Sequence, residues 1–289
     1  MSALLNEERI KRLGSVLALV PRHAVDVIEL NDPQYTAVRK ILDSCGKSGV
    51  ALMVANALVS YRLSLQGEKY WTEFAEYVVS NGCSSDIYSF MRSFLGQSKG
   101  NKMMRKQKIS RIRKASSLLS AIYVEPDKYR DLWFLVESIS RSLGAKPDEK
   151  TIVFAAKMAY YAFKALGIGV KNANKIPLPV DRRVALLSST SGIVEAPPDT
   201  IFQRLRSLAA KAWEKVSFIS GIPSINLDAL IWLPARGIER YIRIGLETAR
   251  DEYSKKLVDY SKGLISWQLA GEIAKEILYR DPFAKKPRT

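Results

Sequence analysis

Two lysines stand seven residues apart in EKTIVFAAKMAYYA (Glu149 to Ala162), a stretch that is otherwise largely apolar and helical in its periodicity. At about 3.6 residues per turn, Lys150, Phe154, Lys157 and Tyr161 fall on one stripe. Two amines therefore share a helix face with two aromatic rings. A lysine in that setting either lays its stem on apolar neighbours and snorkels to water, or acts as an amine nucleophile, which requires its neutral form. The rest of the composition narrows the chemistry. His23 is the only histidine, and Cys45 and Cys83 are the only cysteines. That leaves too few ligands for a Cys/His zinc site or an iron–sulfur cluster. A His-dependent triad would have to rest on His23, close to Pro21, which reads as structural. Reactivity falls to Lys, Asp, Glu, Tyr or a bound small cofactor, and the expected chemistry uses the side chains, with no metal and no cofactor.

The elements around the stripe read as a helix, a short hairpin and a second helix. YRDLWFLVESISRSLGA is a helix ending near Gly144. KPDEKTIVF opens the next, with Pro147 suited to its first turn and Asp148 and Glu149 complementing its dipole. Such a hairpin offers the backbone N–H groups of the second helix to a phosphate, and Lys150 lies in that same turn. About thirty residues on comes IPLPVDRRVALL, where two prolines fix an extended approach and Asp181 precedes a helical pattern. Asp181 is either a plain N-cap or a capped carboxylate kept ionised for catalysis.

Over the whole chain, apolar residues recur at three- and four-residue spacing, as in WTEFAEYVV, DIYSFMRSFL and TIFQRLRSLAAKAWEKV. Strand patterns are scarce, no period of repeats is visible, and the breaks are of loop size. The 289 residues carry a formal charge of +16 with 47% hydrophobic composition. That combination points to a folded protein with a polyanionic partner, nucleic acid first and a membrane surface second. VALMVANALV (Val50 to Val59) is too short to span a bilayer and contains Asn56. The first residues read as an amphipathic helix of a cytoplasmic protein rather than a signal peptide. Between Lys99 and Lys114, KGNKMMRKQKISRIRK holds eight basic residues and no acidic one. This run is either a solvated helix face or a set of phosphate contacts, with Lys99, Lys102, Arg105 and Lys106 as the candidates. The closing FAKKPRT reads as a frayed basic tail.

Taken together, Lys150-Thr151 after a Leu-Gly hairpin, Phe154 four residues later and Pro179-Val180-Asp181 downstream resemble the helix–hairpin–helix DNA glycosylases, and among them the archaeal 8-oxoguanine DNA glycosylases. The hairpin here is LGAKPDEK rather than the superfamily's usual Leu-Pro-Gly-x-Gly, a difference expected of the archaeal branch. The resemblance implies that Lys150 is the nucleophile and Asp181 the carboxylate that assists base departure. It implies that Phe154 and Trp232 form the two faces of a base-binding slot, with Gln34, Trp71, Lys157 and Asp228 as polar contacts to the extruded base. Read from the residues alone, Trp71 and Trp232 could equally be core, and Gln34 could simply start a helix. Asp228 lies one turn before Trp232, so both can face one cavity.

The expected architecture is mostly α, with two helical lobes and an active-site cleft between them. Residues 35–165 would form a central lobe with the helix–hairpin–helix, and residues 1–34 and 166–289 a second lobe from both chain ends. The expected function is excision of 8-oxoguanine by lysine attack at C1′ followed by β-elimination, on single- or double-stranded DNA, by a monomer with no membrane partner. Two other readings remain: a non-catalytic helix–hairpin–helix binding module, and an RNA-binding protein using the Lys99–Lys114 run.

Overall fold

A computed structural model describes residues 4–283, so Ala284 and the rest of the basic tail lie outside the described residues. Every regular element among them is helical, and the only extended contacts are isolated bridges, Leu5 with Val194 and Asp131 with Lys171. The chain divides into two compact units, Met1–Asn31 with Pro177–Thr289, and Asp32–Ile176. In chain order, the first unit begins with α1 (Glu7–Leu17) and α2 (Arg22–Leu30). The second comprises α3 (Pro33–Cys45), α4 (Gly49–Leu58), α5 (Gly67–Asn81), α6 (Ile87–Gln97), α7 (Arg105–Val124), α8 (Leu132–Leu143) and α9 (Lys150–Ala165). The chain then returns to the first unit with α10 (Arg182–Thr190), α11 (Pro198–Arg204), α12 (Arg206–Ser220), α13 (Ser224–Trp232), α14 (Ile238–Ile242), α15 (Leu246–Tyr260) and α16 (Trp267–Ile277). No helix of the described residues is long and apolar enough to cross a membrane.

The Asp32–Ile176 unit is built around α4, whose ten residues are all buried. GVALMVANAL is apolar on every side, as a helix surrounded by others must be, and it packs against α9 and α7. Its one polar side chain, Asn56, accepts from the Tyr70 hydroxyl, and Tyr70 accepts in turn from Asn101 Nδ2 at 2.8 Å. Cys45, the last residue of α3, is joined by a disulfide to Cys83, just beyond α5, with the Cα atoms 5.5 Å apart. The unit runs from Asp32 to Ile176 where residues 35–165 were expected. The chain after α9 stays with it because Leu132 N donates to Lys171 O (3.0 Å), Lys171 N to Arg130 O (2.9 Å) and Asn172 Nδ2 to Asp131 Oδ2 (2.8 Å). Asp131 also caps α8, accepting from Trp133 N at 3.1 Å, and the Asn172 hydrogen bond is the largest cause holding its carboxyl below the usual range. The helix expected from Tyr129 therefore begins at Leu132.

The other unit has its own apolar core, from Ile10 and Leu13 of α1 through Trp213 of α12 to Ile273 and Ile277 of α16. Asn6 caps α1 by accepting from Arg9 N at 3.0 Å. Gly14 lets α1 approach α12 closely, since a Cβ there would lie 2.7 Å from the Ile219 side chain. The single helix suggested by TIFQRLRSLAAKAWEKV is two helices, broken at Leu205. At the break the Arg206 guanidinium lies 4.3 Å from the Phe202 ring centroid and also donates to the Phe202 carbonyl. The side chain thus serves a backbone acceptor near the end of α11.

Candidate active site

Within the Asp32–Ile176 unit, α8 ends at Gly144 with φ +61° and ψ +41°, the left-handed conformation glycine adopts without strain. Ala145 N closes the turn on Ser140 O at 3.0 Å. Pro147, expected in the first turn of the next helix, stands before it, because Glu149 is still extended (ψ 128°) and α9 begins at Lys150. Glu149 does not cap the helix with its side chain. Its carboxylate accepts instead from Arg111 Nη2 at 2.7 Å and Thr151 Oγ1 at 3.1 Å, and Arg111 Nη2 also reaches Thr151 Oγ1 at 2.8 Å. A guanidinium from α7 thereby ties down both neighbours of Lys150. Lys150 itself is only partly buried.

One turn on, Phe154 is partly buried and meets buried Trp71 edge-on, with centroids 5.9 Å apart and planes at 81°. Lys157, a further turn inside, is 1% exposed, so it is enclosed rather than snorkelling. Its amine lies 5.2 Å from the Tyr161 ring centroid. Tyr161 donates to Asp32 Oδ2 at 3.0 Å, and Asp32 Oδ1 accepts from Gln34 N at 2.8 Å. Gln34, at the start of α3, and Lys157 are therefore linked through Asp32 and Tyr161. Of the stripe, Lys150 and Phe154 reach solvent while Lys157 and Tyr161 do not.

In the other unit Asp181 is the N-cap of α10, with Oδ1 accepting from Val184 N at 2.8 Å. Its second oxygen accepts from Trp232 Nε1 at 2.9 Å. Cap and tryptophan together orient both carboxylate oxygens. Trp232 is half-buried at the end of α13, and Asp228, one turn earlier, is buried. The Arg183 guanidinium lies over the Trp232 ring at 3.6 Å from its centroid, with Nη1 donating to the Trp232 carbonyl at 3.0 Å.

The basic run divides by burial. Lys99, Lys102, Arg105 and Lys106 are exposed, and α7 starts only at Arg105. Lys108 is wholly buried, donating to Asn101 Oδ1 and lying 4.8 Å from the Tyr61 ring centroid. Burial lowers its pKa to about 8. Among the described residues no group of three or more His, Cys, Asp or Glu is arranged to hold a metal ion.

Sequence reasoning missed Arg111, Arg183 and Lys108. Arg183 sits two residues after Asp181 and could have been suspected from that spacing. Arg111 and Lys108 carry no signal that separates them from the other cations of the run.

Comparison with known proteins defines the class. The chain is 32% identical to an N-glycosylase/DNA lyase of Pyrobaculum aerophilum over 235 residues, 80% of this chain and 88% of that one. It is 34% identical to the N-glycosylase/DNA lyase of Methanopyrus kandleri over 209 residues, 71% and 81% of the respective chains. A crystal structure of the 8-oxoguanine DNA glycosylase Pa-AGOG from Pyrobaculum aerophilum, complexed with 8-oxoguanosine, is similar in fold, with a TM-score of 0.72, 28% identity and coverage of 86% of this chain and 96% of that one. Residues 14–270 match the family described as AGOG: N-glycosylase/DNA lyase. The chain belongs to that family, and it is an enzyme of the DNA glycosylase and lyase class.

Proposed function

We propose that this enzyme removes 8-oxoguanine from DNA by covalent catalysis through Lys150. The observation that carries the reading is the position of Lys150, the first residue of α9, partly exposed behind the hairpin and flanked by two residues that Arg111 holds. The similar glycosylase solved with 8-oxoguanosine supports the choice of base. In the proposed reaction the neutral Lys150 amine bonds to C1′ as the C1′–N9 bond breaks, and the electron pair leaves with the base. Loss of a proton from the amine and opening of the sugar at O4′ give a Schiff base. Removal of a C2′ proton then expels the 3′ phosphate and cuts the strand.

Asp181 is assigned the charge stabilisation that base departure requires. Phe154 and Trp232 are assigned to stack on the extruded base. Arg183 already covers one face of the indole, so stacking falls to the other. Gln34, Trp71, Lys157 and Asp228 are assigned its polar contacts, and Lys99, Lys102, Arg105 and Lys106 the phosphates. The enzyme is proposed to act as a monomer, within the cell, on single- or double-stranded DNA.

Borohydride trapping tests this. Wild type should give a stable covalent adduct with 8-oxoguanine DNA. Lys150→Gln should give none while retaining binding, and Lys157→Gln should lower the rate yet still trap. Asp181→Asn should slow excision on the order of 10²-fold, the size seen when one group stabilising transition-state charge is removed. An adduct with Lys150→Gln but not with Lys157→Gln would move the nucleophile, and neither adduct nor nick with wild type would remove the activity.

A further inference from the structure

Between α6 and α7 the chain exposes two adjacent methionines, Met103 at 48% and Met104 at 42%. Met104 has φ +57° and ψ +29°, a left-handed conformation that a side chain rarely adopts and that the surrounding structure must enforce. The turn just before it, residues 98–101, is firmly anchored. The Glu73 carboxylate accepts from Ser98 Oγ at 2.9 Å, Lys99 N at 2.5 Å and Gly100 N at 3.1 Å. Ser64 N donates to Gly100 O at 2.8 Å, and buried Lys108 and Tyr70 grip Asn101 from the other side. Directly after this anchored turn, two flexible apolar side chains project into water.

The surroundings say what covers them. Lys99, Lys102, Arg105 and Lys106 are all exposed around the pair, and residues 99–114 contain no acid. Apolar tips ringed by cations suit a surface that is charged outside and apolar within, as stacked bases between phosphates are. Location adds to this: Arg111, seven residues past Met104 and about 10 Å along α7, holds the residues that flank Lys150.

We propose that Met103 and Met104 form a wedge that enters the base stack of duplex DNA beside the nucleotide being extruded. Met is one of the side chains that can part a base step in this way, and its flexible thioether adapts to whichever bases flank the gap. The proposal rests on the DNA-repair reading above but concerns a different step, the opening of the stack.

The test uses a duplex holding a tetrahydrofuran abasic analogue, which cannot be excised, with 2-aminopurine as the neighbouring base. Saturating wild-type protein should raise the 2-aminopurine emission severalfold as the base unstacks. Met103→Ser/Met104→Ser should still bind by anisotropy, with the wild-type melting temperature, but lose most of that rise. Met103→Leu/Met104→Leu should restore it, since an apolar tip remains. On 8-oxoguanine substrates the serine variant should lower the ratio of duplex to single-strand excision about tenfold. Equal emission with the serine variant, or no rise with bound wild type, overturns the wedge. Loss of excision by wild type on both substrates would overturn the repair reading instead, and the emission experiment reads the wedge independently of it.

Discussion

Asp181 meets two demands with its two oxygens, one satisfying the start of α10 and the other the Trp232 indole. The N-cap reading and the functional one are thus compatible: a carboxylate fixed by two donors is already oriented before DNA arrives. Lys108 is a different case, an amine with no catalytic assignment and no exposed surface. Its folded pKa of about 8 lies below the ordinary 10.5. The unfolded chain therefore binds more protons in that interval, and the contribution of Lys108 to stability rises as pH climbs from 8 towards 10.5. The stability of wild type relative to Lys108→Met should accordingly improve by about 3 kcal/mol between pH 7 and pH 10.5. Denaturant titrations of both proteins at the two pH values check this, and a difference that stays constant with pH would mean that burial does not shift the amine.

At the scale of elements, the hairpin and α9 act as one device with α7. The turn at Gly144 fixes where α9 starts, and Arg111 fixes the residues around that start. Pro147 stands before α9 rather than in its first turn: its suitability for a first turn is a local preference, whereas Glu149, held by Arg111 and Thr151, is still extended at the start of α9. α3 and α5 are coupled covalently as well as by packing, through Cys45 and Cys83 across a separation of 38 residues. Closing a loop of that size restricts the unfolded chain and contributes about 4 kcal/mol. Cys83→Ser should lower the denaturant midpoint by a corresponding amount. Wild type treated with reductant should match the variant, and wild type unaffected by reductant would show that the bridge contributes nothing.

Across the molecule, a charge of +16 does not act evenly. Exposed cations release counterions when they meet phosphate, while a buried one has none to release. Neutralising Lys102, Arg105 and Lys106 together should therefore flatten the slope of log K against log salt by about one unit per lost contact, on lesion and undamaged DNA alike. Lys108→Met should leave the slope where it was. Binding isotherms over a range of salt concentrations measure both, and an unchanged slope in the triple variant would make the exposed run a solvated face.

Much was legible in order along the chain because the signals are local. Three- and four-residue periodicity gives helices, Gly144 gives the end of α8, and Asp before Arg-Arg-Val gives the cap of α10. The scarcity of His and Cys bounded the chemistry before any fold was considered. What the tertiary structure decided were pairings between distant residues: Trp232 with Asp181, Arg183 on the indole, Arg111 on Glu149 and Thr151, and Cys45 with Cys83. It also decided burial within a single run of like residues, where Lys106 is exposed and Lys108 is enclosed two positions later. Periodicity ranks faces of a helix by their average polarity, so a cation that is desolvated and matched to Asn101 and Tyr61 looks the same in sequence as one left in water. Only the packing of α7 against its neighbours separates the two.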